Sequence, residues 1–243
     1  MSPKKILPLL LLGLLPALSA WSASPGNDSP RGRFVELHSC EVFAGSCVVS
    51  SEAASDANYV LRVWQFDHGS FKGVPLNGLT VALLEKGDKN LAVTENRASD
   101  AVAYLPPGLS AAQRTALLDW TREKTAATLN DAHVKVVPLQ AQLALENVTF
   151  SAGHDITFSG ATPLACDLGG CGQMLWYEPR VAATSFVVDE VGQARVVEPL
   201  LSMQWLDHGR QTLFVGRFGD PEVTVPALCG EPSVPLPRRT ASL

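Results

Sequence analysis

Five cysteines hold most of the chemistry this 243-residue chain could perform: Cys40, Cys47, Cys166, Cys171 and Cys229. The first two lie in FVELHSCEVFAGSCVVS (34–50), where Glu36 and His38 precede Cys40 at two-residue steps. Side chains alternate between the faces of an extended strand, so Glu36, His38 and Cys40 are expected on one face. Thiolate and imidazole are the ligands that soft cations such as Cu(I) and Zn2+ prefer. His38, Cys40 and Cys47 would supply three of them if the chain turns back at FAGS. The spacing C-x6-C is wider than zinc knuckles use, so a loop-closing disulfide Cys40–Cys47 is the first reading in an exported protein and a metal role the second. Cys166 and Cys171 flank Asp167, Gly169 and Gly170 in ACDLGGCGQM. The glycines allow a tight reversal that would either close a disulfide Cys166–Cys171 or present both sulfurs to a metal. Met174 adds a soft thioether nearby, a residue type more often found in cores. Thiol–disulfide exchange is a further alternative, although neither pair has the C-x-x-C spacing of redox sites.

Asp-His-Gly occurs twice, at 67–69 and 207–209. An aspartate beside a histidine can orient an imidazole as a base or ligand, yet Asp and Gly are also turn formers, and turn geometry is the expected role. Nucleophile-elbow, zinc-protease and phosphate-loop motifs are absent from the sequence. No catalytic residue is assigned. Asp189 and Glu190, in DEVGQ, read as solvated turn residues, and the sequon Asn147-Val148-Thr149 falls within a strand pattern.

The compartment decides how cysteines behave. Lys4 and Lys5 precede an apolar run from Ile6 to Leu18, followed by small residues at Ala20 and Ser22. That is the pattern of a secretory signal, assigned to 1–22, and it predicts a periplasmic or extracellular protein in which disulfides persist. Five is an odd number, so one thiol would remain free, liganded or paired between chains. The remaining chain has no run of eighteen apolar residues, so stable membrane insertion after cleavage is not expected. With 46% hydrophobic and 18% charged residues and a formal charge of −5, the composition is globular and offers no basic field for nucleic acid.

The elements that must position these residues are mostly strands. A polar linker (23–32) is followed by one domain (33–224) and a Pro-rich tail (225–243) with four prolines. YVLRVWQF (59–66), LTVALLE (79–85), AVAYL (101–105), HVKVVPLQ (133–140) and QTLFVGRF (211–218) are short β-type runs. Further runs lie at 144–150, 154–160, 184–190 and 194–200. HGSFKG, KGDKN and DEVGQ read as turns between them. Close spacing predicts hairpins rather than βαβ units. One helix, about 109–129, follows Pro106-Pro107, with Ser110 and Gln113 in capping-box register and an apolar stripe through Ala116, Leu117, Trp120 and Ala127. The expected class is α+β, a mostly antiparallel sheet with this helix packed on it.

WQFDHGSFKGVPLNGLTVAL (64–83) resembles a bacterial family designated domain of unknown function 1326. Trp64, Gly69, Phe71, Val74, Leu76 and Gly78 match the spacing of its pattern; Gln113, Arg114, Ala116 and Leu117 look like its helix, and LDHGR (206–210) like its end. The resemblance spans roughly 33–218 and implies no activity, because the family has none to carry over. Many members look as though they carry a Cys-Pro-Cys after the first strand; this chain has FAGSC there instead, which weakens any metal role drawn from them. The combined expectation is an exported, non-catalytic binding protein with a copper or zinc role. The alternatives are a thiol–disulfide redox protein and an interaction module with purely structural disulfides.

Overall fold

Residues 28–44, 57–93, 95–129, 133–161 and 174–219 are described by a computed structural model. The chain order is β1 (Arg31–His38), β2 (Phe43–Ala44), β3 (Tyr59–His68), β4 (Ser70–Phe71), β5 (Val74–Pro75), β6 (Thr80–Lys86) and β7 (Asp100–Leu105). Helix α1 (Ala111–Thr125) comes next, then β8 (Val134–Val136), β9 (Leu139–Ala144), β10 (Asn147–Ala152), β11 (Ile156–Gly160) and β12 (Met174–Leu175). The 16-residue β13 (Ala183–Glu198), a 3-10 turn, β14 (Met203–Asp207) and β15 (Arg210–Phe218) complete it. The main sheet runs β8-β7-β6-β3-β1-β15-β13-β11-β10-β9, with β14 also on β13. It curls into a half-barrel.

The α+β class and the antiparallel majority agree with the sequence. One pairing does not: β8 lies parallel to β7, reached through α1, so the sheet is mixed and contains one βαβ crossover. Two further corrections concern β13. DEVGQ is not a turn between strands but part of this single strand, with register shifts between Ala183 and Ser185 and between Asp189 and Val191. Bulges let an Asp- and Gly-bearing segment stay paired while increasing its twist. β13 thereby pairs with β15 through Val191 and then passes to β11 and β14. Asp189 is correspondingly buried rather than solvated. β1 begins at Arg31, inside the stretch read as linker.

Curling gives two cores. The concave face packs Val35, Leu37, Leu61, Val63, Ala82 and Leu84 against Leu143, Val148, Phe150, Ile156 and Phe158 from the returning hairpins. The convex face carries Phe34, Trp64, Phe66, Leu83 and Ala103, covered by Leu117 and Trp120 of α1. Strands buried on both faces explain the nearly continuous apolar runs in the sequence. Helix α1 starts where its cap demands. The Ser110 hydroxyl accepts from Gln113 N–H (3.2 Å), and the Gln113 side chain accepts from Ser110 N–H (3.1 Å). Trp120 is its anchor, edge-on to Trp64 (5.4 Å) and Phe66 (4.8 Å) and tilted against Phe218 (5.6 Å). Among the described residues no helix is long and apolar enough to cross a membrane.

Candidate functional site

α1 covers one end of the convex face, and irregular chain covers the other. Segments 87–93, 95–98 and 176–182 lie over the face to which alternation assigns Glu36 and His38 on β1, Arg62 on β3 and Glu85 on β6. All four side chains are buried. Burying charges is costly unless they are paired and hydrogen-bonded. This cluster meets that condition with two carboxylates and two guanidiniums, the second being Arg180.

Glu36 is the hub. Its Oε1 accepts from the His38 ring Nε2 (2.6 Å) and from Arg180 N–H (2.8 Å), and its Oε2 from Val181 N–H (3.0 Å). Burial pushes the Glu36 carboxyl up. The hydrogen bond and charge of His38, the Arg62 guanidinium and the Arg180 N–H outweigh that and hold it below its usual range. An ionised Glu36 fixes the histidine: Nε2 carries the proton that is donated, and in the neutral imidazole the lone pair then sits on Nδ1. His38 Nδ1 is buried without a hydrogen-bond partner. The ring also packs edge-on against Phe214 at 5.6 Å.

Arg62 Nη2 donates to Glu85 Oε2, and its guanidinium lies 5.7 Å from the centre of the Trp64 ring. Arg180 ties down the cover: Nη1 donates to Leu91 O (2.5 Å) and Val93 O (3.0 Å), and Nη2 to Asn96 O (2.9 Å). Burial, then the Arg62 charge, lowers the Arg180 pKa, with Glu85 and Glu36 pulling the other way. One residue thus joins segments 87–93 and 95–98 to the Glu36 carboxylate through its own backbone.

Cys40 follows two residues beyond His38 and is buried, 1% exposed, against Ala57, Ala92 and Tyr177. Val42 O accepts from Trp176 N–H (3.0 Å), and β2 pairs with β12 in the register Phe43↔Leu175 and Ala44↔Met174. Cys47, Cys166, Cys171 and Cys229 themselves lie outside the described residues, as do the two local disulfides expected from sequence. Among the described residues no three His, Cys, Asp or Glu side chains gather as an ion site. What fits a metal is the donor chemistry of His38. Metal-ligating histidines commonly give their other ring N–H to a carboxylate, as His38 gives Nε2–H to Glu36.

The repeated Asp-His-Gly segments close strands rather than forming the expected turns: Asp67 and His68 end β3, and Asp207 ends β14, after which the chain continues along β13 into β15. Gly69 and Gly209 have positive φ, 105° and 66°. Asp67 faces Arg33 and Arg217, whereas Asp207 accepts from Arg210 Nε (2.6 Å), Thr212 and His208 N–H. These aspartates therefore order the chain, and among the described contacts none joins His68 to His208. A second buried polar group joins Tyr104, which donates to Glu198, with Lys135, 2.7 Å from both Glu198 and Asp155. Burial and these carboxylates raise the Tyr104 pKa, and the carboxylates raise that of Lys135 against burial. Both groups keep their protons, so this network staples β7 and β8 to β13.

Sequence reasoning missed Arg62, Glu85 and Arg180. The available signal was a charge inside an apolar run, Arg62 in YVLRVWQF and Glu85 closing LTVALLE. Comparison with family models, curated proteins and solved structures finds no match to this chain.

Proposed function

We propose that this chain is an exported, non-catalytic binding protein that takes a soft cation, Cu(I) or Zn2+, at a site founded on His38 Nδ1 and the Cys40 thiolate. The observation that carries the reading is the Glu36–His38 pair: a buried carboxylate fixes the ring and leaves Nδ1 buried and unpartnered, beside a cysteine on the same strand path. Cys47, Cys166 and Cys171, which lie outside the described residues, are the next ligands to test. A thiolate and an imidazole suit both cations, which supply Lewis acidity and bridging strength when bound. The chain's own part is to deprotonate, orient and bury the ligands. The resemblance of residues 64–83 to an uncharacterised bacterial family is consistent with binding and names no reaction.

The test is thiol titration of the full chain before and after reduction, with mass mapping of bridges and Cu(I) or Zn2+ titration. Stoichiometric binding that weakens at least tenfold in both His38→Ala and Cys40→Ser supports the reading. Cysteines oxidised as Cys40–Cys47 and Cys166–Cys171 and resistant to mild reductant would overturn it. Ready exchange with glutathione would instead favour the redox alternative.

A further inference from the structure

The concave face holds a second candidate site, independent of the metal reading because His38 and Cys40 lie on the convex side. β11 pairs with β13 only from Val191 onward, so beyond Gly160 the returning hairpins and the first half of β13 diverge. The gap is a groove of about 350 Å3 between the β9–β10 turn and strands β1, β13 and β15. Its walls are largely apolar: Leu143 near the end of β9 and Leu145 on the turn face Val187 and Val215 on the sheet. Leu145, at the rim of this groove, is 43% exposed.

Two cations line the same groove. Arg33 and Arg217 are direct cross-strand partners, a pairing that repels unless an anion stands between them. Asp67 Oδ2 does so in part, 3.9 Å from Arg33 Nε and 3.3 Å from Arg217 Nη2. A guanidinium is a planar fork suited to a carboxylate, and both side chains, although partnered, remain over a third exposed. Apolar walls ending at two arginines match an amphiphile with an anionic head. We propose that this groove binds a single-chain aliphatic carboxylate, its head on Arg33 and Arg217 and its tail between Leu143, Leu145, Val187 and Val215. The volume suits a chain of about eight to twelve carbons. Glu146, on the turn opposite, opposes the head and limits affinity.

The experiment is calorimetric titration of the full chain with hexanoate, octanoate and decanoate below their micelle concentrations. Decanol serves as the headless control. Affinity should rise at least twofold per methylene, within the roughly fourfold that full burial allows. Decanol should bind at least tenfold more weakly than decanoate, and so should decanoate to Arg33→Gln/Arg217→Gln. Glu146→Gln should tighten binding. Leu145→Asp, on an exposed turn, guards against misfolding of the double variant and should also weaken decanoate tenfold. Equal binding of decanol and decanoate, no dependence on tail length, or unchanged binding in Leu145→Asp would overturn the assignment.

Discussion

Replacing Asp189 by asparagine should remove a pH dependence of stability. Asp189 has no exposed surface, and its Oδ1 accepts only its neighbour's N–H, from Glu190 at 2.7 Å. Its Oδ2 is buried without a partner. Gly160 makes room for it: a Cβ there would lie 2.6 Å from Oδ2. Burial raises the carboxyl pKa from 3.8 to about 6; the Glu190 N–H opposes the rise and the Glu190 charge adds to it. That difference corresponds to about 3 kcal/mol. The folded-state value lies above the unfolded one, so below about pH 4 both states are protonated and the carboxyl carries no penalty. As pH rises towards 6 the unfolded chain ionises first and stability falls; above about 6 the full penalty remains. Glu36, held low, contributes an opposite slope in acid that both proteins share.

The assay is urea unfolding of wild type and Asp189→Asn between pH 4.5 and 7.5, followed through tryptophan fluorescence. The stability difference between the two should move by about 2 kcal/mol in favour of asparagine across that window. The absolute level depends on the buried amide, so the change with pH is the decisive quantity. A difference constant to within about 0.5 kcal/mol would refute the buried, unpaired carboxylate.

Trp120→Ala, which removes the ring packed on Trp64, Phe66 and Phe218, should cost about 3–5 kcal/mol in the same unfolding assay. Ser110→Ala should cost about 1 kcal/mol and Ser110→Asp much less, because aspartate also caps. Arg62→Ala should cost about 3–5 kcal/mol by stranding Glu85, whereas Arg62→Met/Glu85→Leu should be milder than Arg62→Met or Glu85→Leu alone; calorimetric melting of wild type and each variant checks this.

The legible parts of this molecule were those whose physics is local. Ser110 and Gln113 announced the helix start, and the two-residue rhythm from Glu36 to Cys40 placed the Glu36–His38 contact on one face. In the Asp-His-Gly segments the glycines take the positive φ that the turn reading called for, but Asp67, His68 and Asp207 belong to strands. What failed depended on distant chain. Arg62 and Glu85 are buried because segments 87–93, 95–98 and 176–182 return over them, and no periodicity records that cover. DEVGQ carries turn residues, yet long-range pairing to β15 and β11 holds it in a bulged strand and buries Asp189. The parallel β7–β8 pair was hidden for the same reason: the α1 crossover has to land on a sheet edge that sequence spacing does not define.

X-ray absorption at the metal edge of the full chain loaded with Cu(I) or Zn2+ tests the central claim most directly. The account predicts a mixed shell, sulfur with one imidazole nitrogen, whose nitrogen contribution disappears in His38→Ala and weakens or disorders in Glu36→Gln. A sulfur-only shell unchanged by His38→Ala, or failure of the reduced chain to bind either ion, would contradict it.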